Sequence, residues 1–273
     1  MSGPALAQAH AQTPADPLGI EDDGPCRTVL GRLDAILASF GTSDRVLALS
    51  EISRRIGLPK STVHRLADQL CAVGWLERNS GGYRVGLKLL ELGGVALQRN
   101  GLRDVAFRHI YALAQKTGLA VQLAILDHNE VVYLERIVLT RFRVPTRVGG
   151  RQPAYCTALG KAMLAFEDEA SQASVLANLP RRTEATITDP RALRAQFEDI
   201  SRTGIAYDRE EAYKGLACVA SPIRSSGRAI GALSVTGPVG RLQMHSIAQE
   251  VRSTALAVWG GHPAIPPKAS YAQ

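Results

Sequence analysis

No run of about 18 consecutive apolar residues occurs in this 273-residue chain, so no transmembrane helix is expected. The N-terminus lacks the basic-then-apolar order of a signal peptide, and residues 1–25 contain no Lys or Arg at all. The four cysteines, Cys26, Cys71, Cys156 and Cys218, lie far apart, with no C-x-x-C pair and no His at ligand spacing. That argues against a zinc site or a disulfide framework and for a reducing cytosol. Also missing are G-x-S-x-G, H-E-x-x-H and the dinucleotide fingerprint. A soluble, cytoplasmic chain with no metal, no cofactor and no membrane partner is therefore expected.

The charge that is present is unevenly placed. Lys and Arg number 32 against 25 Asp and Glu, a net +7. Residues 1–25 hold four acids, whereas residues 26–99 hold eleven basic and six acidic side chains, so about a quarter of the chain carries +5. The remaining 174 residues carry +6. Positive charge is densest where a phosphate-facing module would need it.

That region is organised around residues 47–77, LALSEISRRIGLPKSTVHRLADQLCAVGWLE. Residues 1–25, rich in Ala and Pro, have too few large apolar groups to offset the entropy of ordering and read as a disordered arm. Val29, Leu33, Ile36, Leu37 and Phe40 then recur on one face of a helix that Gly41 ends. Ser50 is the expected N-cap of a second helix carrying Ile52 and Ile56. Gly57-Leu58-Pro59 makes a turn, because Gly tolerates the left-handed conformation after a helix and Pro suits the start of the next one.

The third helix places Val63, Leu66, Leu70 and Val73 on one stripe. Its other side carries Lys60, Ser61, Thr62, His64 and Arg65 in the N-terminal half and Asp68 in the C-terminal half. Short hydroxyls, an imidazole and two cations can bond phosphates and base edges, and the polarity matches a recognition helix entering a groove of double-stranded DNA by its N-terminal end. Two short alternating runs around Asn79-Ser80-Gly81-Gly82 signal a hairpin wing, with Tyr83 and Arg84 as backbone or minor-groove contacts. For Tyr83, simple packing is an equal alternative. Residues 87–99 read as a linker helix despite Gly93-Gly94 in its middle.

Residues 100–260 read as a second domain. A helix at 103–116 precedes apolar strands at 121–126 and 131–134, and basic residues Arg136, Arg141, Arg143, Arg147 and Arg151 crowd what reads as a solvated loop, with a pocket-facing Arg for an acidic ligand as the alternative. The segment AYCTALGKA opens a helix whose first N–H groups attract carboxylates. It only mimics a nucleotide-binding loop, since Tyr155 and Ala162 stand where Gly and Ser or Thr are required. Thr188 is the expected cap of a later helix, strands follow near 204–208, 216–223 and 228–235, and a last helix spans 241–258. Helices interleaved with hairpins indicate a largely antiparallel α/β sheet. Residues 261–273 read as a disordered tail.

The helix-helix-hairpin order, GLPKSTVHRL, YRVGLKLLELG and AYCTALGKA together resemble the IclR family, over about residues 27–260. The resemblance implies an α/β protein overall. It consists of an all-α winged helix-turn-helix domain at 26–86, the linker helix, and a GAF-like α/β effector domain. It implies a homodimeric or tetrameric bacterial transcription regulator whose second domain takes a small organic acid such as glyoxylate or pyruvate. The matching positions are the backbone N–H groups of Ala158 and Leu159, the side chains of Asp208, Cys218, Ser234 and Thr236, and apolar walls at Val144 and Leu216. Ser234 and Thr236, two apart on a strand, share a face. Two rival readings are an enzyme with Cys156 or Cys218 as nucleophile and a thiol redox sensor. A thiol nucleophile needs a nearby base, and no histidine stands beside either cysteine in sequence.

Overall fold

The computed structural model describes residues 28–41, 44, 46–98, 101–139 and 142–260. The expected arm, the tail, Cys26 and Arg141 lie outside them. The chain divides into two compact units at Gly94/Val95.

In the first unit, α1 (Val29–Ala38), α2 (Leu49–Ile56) and α3 (Lys60–Ala72) precede a hairpin of β1 (Leu76–Asn79) and β2 (Gly82–Val85). Ile36, Ile52, Val63, Leu66, Ala67, Leu70, Leu76 and Tyr83 form its core. Ser50 is not the cap of α2. Ala48 takes that position with no side-chain hydrogen bond, and Ser50 falls inside the first turn. Gly57 ends α2 in the left-handed conformation and Pro59 is the N-cap of α3. Val73 caps α3 and stays exposed rather than completing the buried stripe. The wing is fastened by a bridge between Leu47 and Tyr83, whose N–H groups each donate to the other's carbonyl at 2.8 Å. A Cβ on Gly82 would stand 2.2 Å from the Leu47 oxygen, so only glycine allows that approach. Helix α4 (Leu87–Gln98) runs continuously through Gly93 and Gly94 and buries none of its residues.

The second unit is an antiparallel six-stranded sheet in the order β5-β4-β3-β8-β7-β6. The strands are β3 (Ala120–Asp127), β4 (Glu130–Ile137), β5 (Arg151–Pro153), β6 (Ala206–Arg209), β7 (Leu216–Ser225) and β8 (Arg228–Pro238). Helices α5 (Gly101–Thr117) and α9 (Met244–Gly260) share an apolar cluster with Val121, Leu123, Val219, Leu233 and Val235 on one face. The other face carries α6 (Ala158–Leu164), α7 (Glu169–Leu176) and α8 (Pro190–Thr203), packed with Ala124, Tyr133, Ala206, Ala220 and Ala232. Alternation along each strand sorts side chains between these layers. Asp189, not Thr188, caps α8, accepting the Arg191 N–H at 3.0 Å. The short strand β5 falls at the end of the stretch read as a solvated loop. A bulge in the β3–β4 pairing lets Tyr133 and Arg136, three apart, lie on the same face as Gln122.

Candidate functional site

On α3, Lys60, Ser61, His64 and Arg65 are exposed and Thr62 is half-buried, all on the side away from Val63, Leu66 and Leu70. Lys60 and Arg65 make no ion pair with another described residue, so both charges are available to an anionic partner. His64 is held differently. Its Nδ1 lies 3.1 Å from an Asp68 oxygen, and its Nε2 lies 3.1 Å from a terminal nitrogen of Arg78 on β1. The same Arg78 nitrogen donates to Asp68 at 2.8 Å and to the Tyr83 hydroxyl, and the guanidinium sits 5.1 Å from the Tyr83 ring centre. The wing and the third helix are thus joined by one arginine that sequence reasoning missed, because only the folded hairpin brings it there.

Tyr83 is a correction. Its side chain is 3% exposed, turned into the core by the strand alternation and the Leu47 bridge, and cannot reach a groove. Arg84, next along β2, points outward and donates from Nε to Glu77 at 2.8 Å.

In the second unit a pocket of about 20 Å³, partly open to solvent, lies among α6, the sheet and the β6–β7 connection. Val144, Ala158, Leu159, Asp208, Leu216, Cys218, Ser234 and Thr236 all line it. Gln122, Tyr133, Thr146, Thr157, Ala212 and Tyr213 line it too and were missed. A lone Gln inside the apolar run VQLAIL was the available signal for the first of these. Thr157 stood inside the motif segment itself.

Local structure explains each wall. Thr157 caps α6, its hydroxyl accepting the Gly160 N–H at 3.1 Å, and no hydrogen bond from the N–H groups of Ala158 or Leu159 to a described residue is present. Gly160 lets the helix start press on the preceding turn, where a Cβ would stand 2.2 Å from the Ala154 oxygen. Behind the wall the Lys161 ammonium is wholly buried, 2.6 and 2.7 Å from the two Glu211 oxygens and 2.8 Å from Gln196. Asp208 accepts the N–H groups of Glu211 at 2.7 Å and Ala212 at 3.4 Å. Burial, then the charge of Glu211, pushes its carboxyl up to about 7.

Across the cavity Gln122 meets three hydroxyls: Ser234 at 3.2 Å, Thr236 at 2.8 Å and Thr146 at 2.6 Å. Cys218 sulfur lies 3.1 Å from the Thr236 hydroxyl. Burial raises the thiol of Cys218 well above the usual range and that of Cys156 to about 12, and no histidine lines the cavity. Of the basic stretch, Arg136 donates to the Thr146 carbonyl at 2.7 Å outside the lining, Arg143 and Arg147 are exposed, and Arg151 pairs with Asp127 and Glu130.

Family models match both units. One described as Bacterial transcriptional regulator IclR C-terminal covers residues 94–259, and one described as IclR helix-turn-helix domain covers residues 29–80. The chain is 33% identical to the HTH-type transcriptional regulator KdgR of Escherichia coli (strain K12) over 225 residues, 79% of this chain and 84% of KdgR. It is 29% identical to the Pca regulon regulatory protein of Pseudomonas putida over 259 residues, 93% and 89% of the two chains. Among solved structures it is similar to an IclR homolog from Microbacterium hydrocarbonoxydans complexed with 4-hydroxybenzoate. There the TM-score is 0.77 and the identity 34%, over 86% of this chain and 98% of that one. The IclR of Thermotoga maritima gives a TM-score of 0.69 at 28% identity, over 85% and 97%.

Proposed function

Because this chain belongs to the IclR family of bacterial transcriptional regulators, with a helix-turn-helix DNA-binding domain and a C-terminal effector-binding domain, we propose that its effector is a small organic acid and that the acid alters operator binding. One observation carries the acid. The cavity joins two N–H groups without a protein partner, on Ala158 and Leu159, to a wall of hydroxyls and apolar side chains. N–H groups at a helix start favour a carboxylate. The Microbacterium relative holding 4-hydroxybenzoate supports the same class of ligand.

On the DNA side Lys60, Ser61, Thr62, His64 and Arg65 read the operator, with Arg84 on the wing reaching the backbone. Their shared exposed side supports this. Leu30 on α1 and Leu87 and Leu90 on α4 stay exposed, which supports self-association as a homodimer or a tetramer. Two recognition helices on one face of a duplex stand about 34–36 Å apart, so a modest change in their spacing changes affinity. The relatives are named as regulators, which supports a cytoplasmic, non-enzymatic protein.

The test is a mobility shift of the full-length protein on its own upstream DNA at fixed salt, with His64→Ala and Arg65→Ala beside it. Unchanged binding by both variants would remove the recognition-helix assignment. A melting-temperature screen of carboxylic acids, 4-hydroxybenzoate included, identifies the effector, since a ligand bound only by the folded state raises stability by RT ln(1 + [L]/Kd).

A further inference from the structure

Asp208 is the one carboxyl on the cavity wall, and no Lys, Arg or His lines the cavity among the described residues. The nearest ammonium, Lys161, is engaged with Glu211 and Gln196 behind the wall, so its charge is already balanced. The other titratable groups facing Asp208 are Cys218 on β7, Tyr133 on β4 and Cys156 in the turn before α6, with Tyr213 beside them on the cavity wall. Burial raises Cys218, Tyr133 and Cys156, so at neutral pH they are uncharged. A carboxylate entering here meets the N–H groups of Ala158 and Leu159 and the Asp208 carboxyl in one lining, with no cation there to separate the two negative charges. Two carboxylates in one desolvated space do not both stay ionised.

We infer that an acid ligand enters this cavity together with one proton held on Asp208, so that Asp208 serves the ligand as a hydrogen-bond donor and the site takes monocarboxylates and rejects dianions. This rests on the reading of the cavity as a carboxylate site. The proton comes from solvent and sits on an Asp208 oxygen, and the ligand keeps its single negative charge against the N–H groups of Ala158 and Leu159. The raised carboxyl, at about 7 without ligand, is partly ionised at neutral pH, and binding draws the ionised molecules to the protonated form. Rejection of dianions follows from the same count, because a second charge would find no counter-ion.

The experiment is titration calorimetry of the full-length protein with 4-hydroxybenzoate, a monoanion, and terephthalate, a dianion of similar ring size. It is run from pH 6 to 8 in buffers of different ionisation enthalpy. Wild type is expected to take up a proton fraction that climbs toward one by pH 8, with affinity falling by about tenfold per pH unit above about 7. Terephthalate is expected to bind at least about tenfold more weakly. Asp208→Asn, a permanent uncharged donor, is expected to bind 4-hydroxybenzoate with no proton uptake and a flat pH profile. Absence of uptake by wild type, or terephthalate bound as tightly as the monoanion, overturns the inference, and both readouts stand without the variant.

Failure of wild type to bind any monocarboxylate overturns the carboxylate reading instead. The ligand-free protein then decides the proton. A carboxyl whose folded value is raised above its unfolded value stabilises the fold at low pH and loses that contribution as pH climbs through about 7. Asp208→Asn should therefore gain in melting temperature relative to wild type between pH 5 and 8, and a constant difference overturns the inference.

Discussion

The Lys161 ammonium meets both oxygens of Glu211, at 2.6 and 2.7 Å, in a place where no part of the lysine reaches solvent. Lys161 belongs to α6, and Glu211 to the segment whose N–H groups hold Asp208. The pair therefore ties together two walls of the cavity from behind. Lys161→Met is expected to destabilise the second unit by about 3–5 kcal/mol, because it leaves a buried carboxylate unpaired. Replacing both partners, Lys161→Met with Glu211→Leu, should recover most of that loss. Denaturant unfolding followed by circular dichroism reads both, and a double variant no more stable than the single one would mean the damage lies in packing rather than in charge.

Lys60 and Arg65 carry unpaired charge on the exposed side of α3, and each phosphate contact contributes about 0.9 to the dependence of log affinity on log salt. Either residue changed to Ala should lower that slope by about one and leave the melting temperature nearly unchanged. Measurement at several salt concentrations on one operator fragment checks it.

Tyr83 predicts the opposite pattern. Truncation to Ala is expected to cost about 3–5 kcal/mol of stability in the first unit, as for a buried aromatic, whereas Arg84→Ala should stay within about 0.5 kcal/mol. A Tyr83→Ala protein of wild-type stability with impaired DNA binding would return this residue to the DNA face.

Much of this was readable from order and spacing. The turn at Gly57, the wing and the longer strands of the sheet announced themselves by turn residues and periodicity, and the positions that the family resemblance implied, from Val144 to Thr236, line one cavity. What escaped depends on partners distant in sequence. Tyr83 alternates with Arg84 on a two-stranded wing, and nothing local says which of them faces inward until Leu47 pairs with the strand. Ser50 and Thr188 are good capping residues one or two positions from the actual N-caps, Ala48 and Asp189, and Asp189 is as good a cap by composition as its neighbour. Strand β5, three residues ending in Pro153, is too short to show an alternation of its own. Thr146 lay in a stretch that its arginines made look like solvated loop.

Arg78 yields a prediction on the DNA face. It pairs with Asp68 and lies against Nε2 of His64, so Arg78→Ala exposes a carboxylate beside the side chains proposed to read the groove. Affinity for the operator should fall, with a stability loss of about 1 kcal/mol from the Tyr83 hydroxyl left without its donor and little from the exposed ion pair. Adding Asp68→Asn to Arg78→Ala should restore part of the binding, and no restoration in a mobility shift would show that Arg78 acts by its own contact instead.

Cys156 and Cys218 have thiols raised by burial, so at pH 8 neither has appreciable thiolate. Iodoacetamide at that pH should leave both unmodified in the folded protein and label them once it is unfolded. Mass spectrometry of the two samples settles the matter, and rapid labelling of folded Cys218 would revive the thiol-based readings.

Gln122 spans three hydroxyls that come from β8 and from the segment holding Val144. The Ser234 and Thr236 hydroxyls donate to its amide oxygen, and the Thr146 hydroxyl accepts from its amide nitrogen. The directions of the two β8 hydroxyls are therefore set when the sheet forms, so the entropy of ordering them belongs to folding and not to recognition. A pocket prepared in that way discriminates among ligands by the fixed directions of its hydrogen bonds, and adapts poorly to a ligand whose polar atoms stand elsewhere.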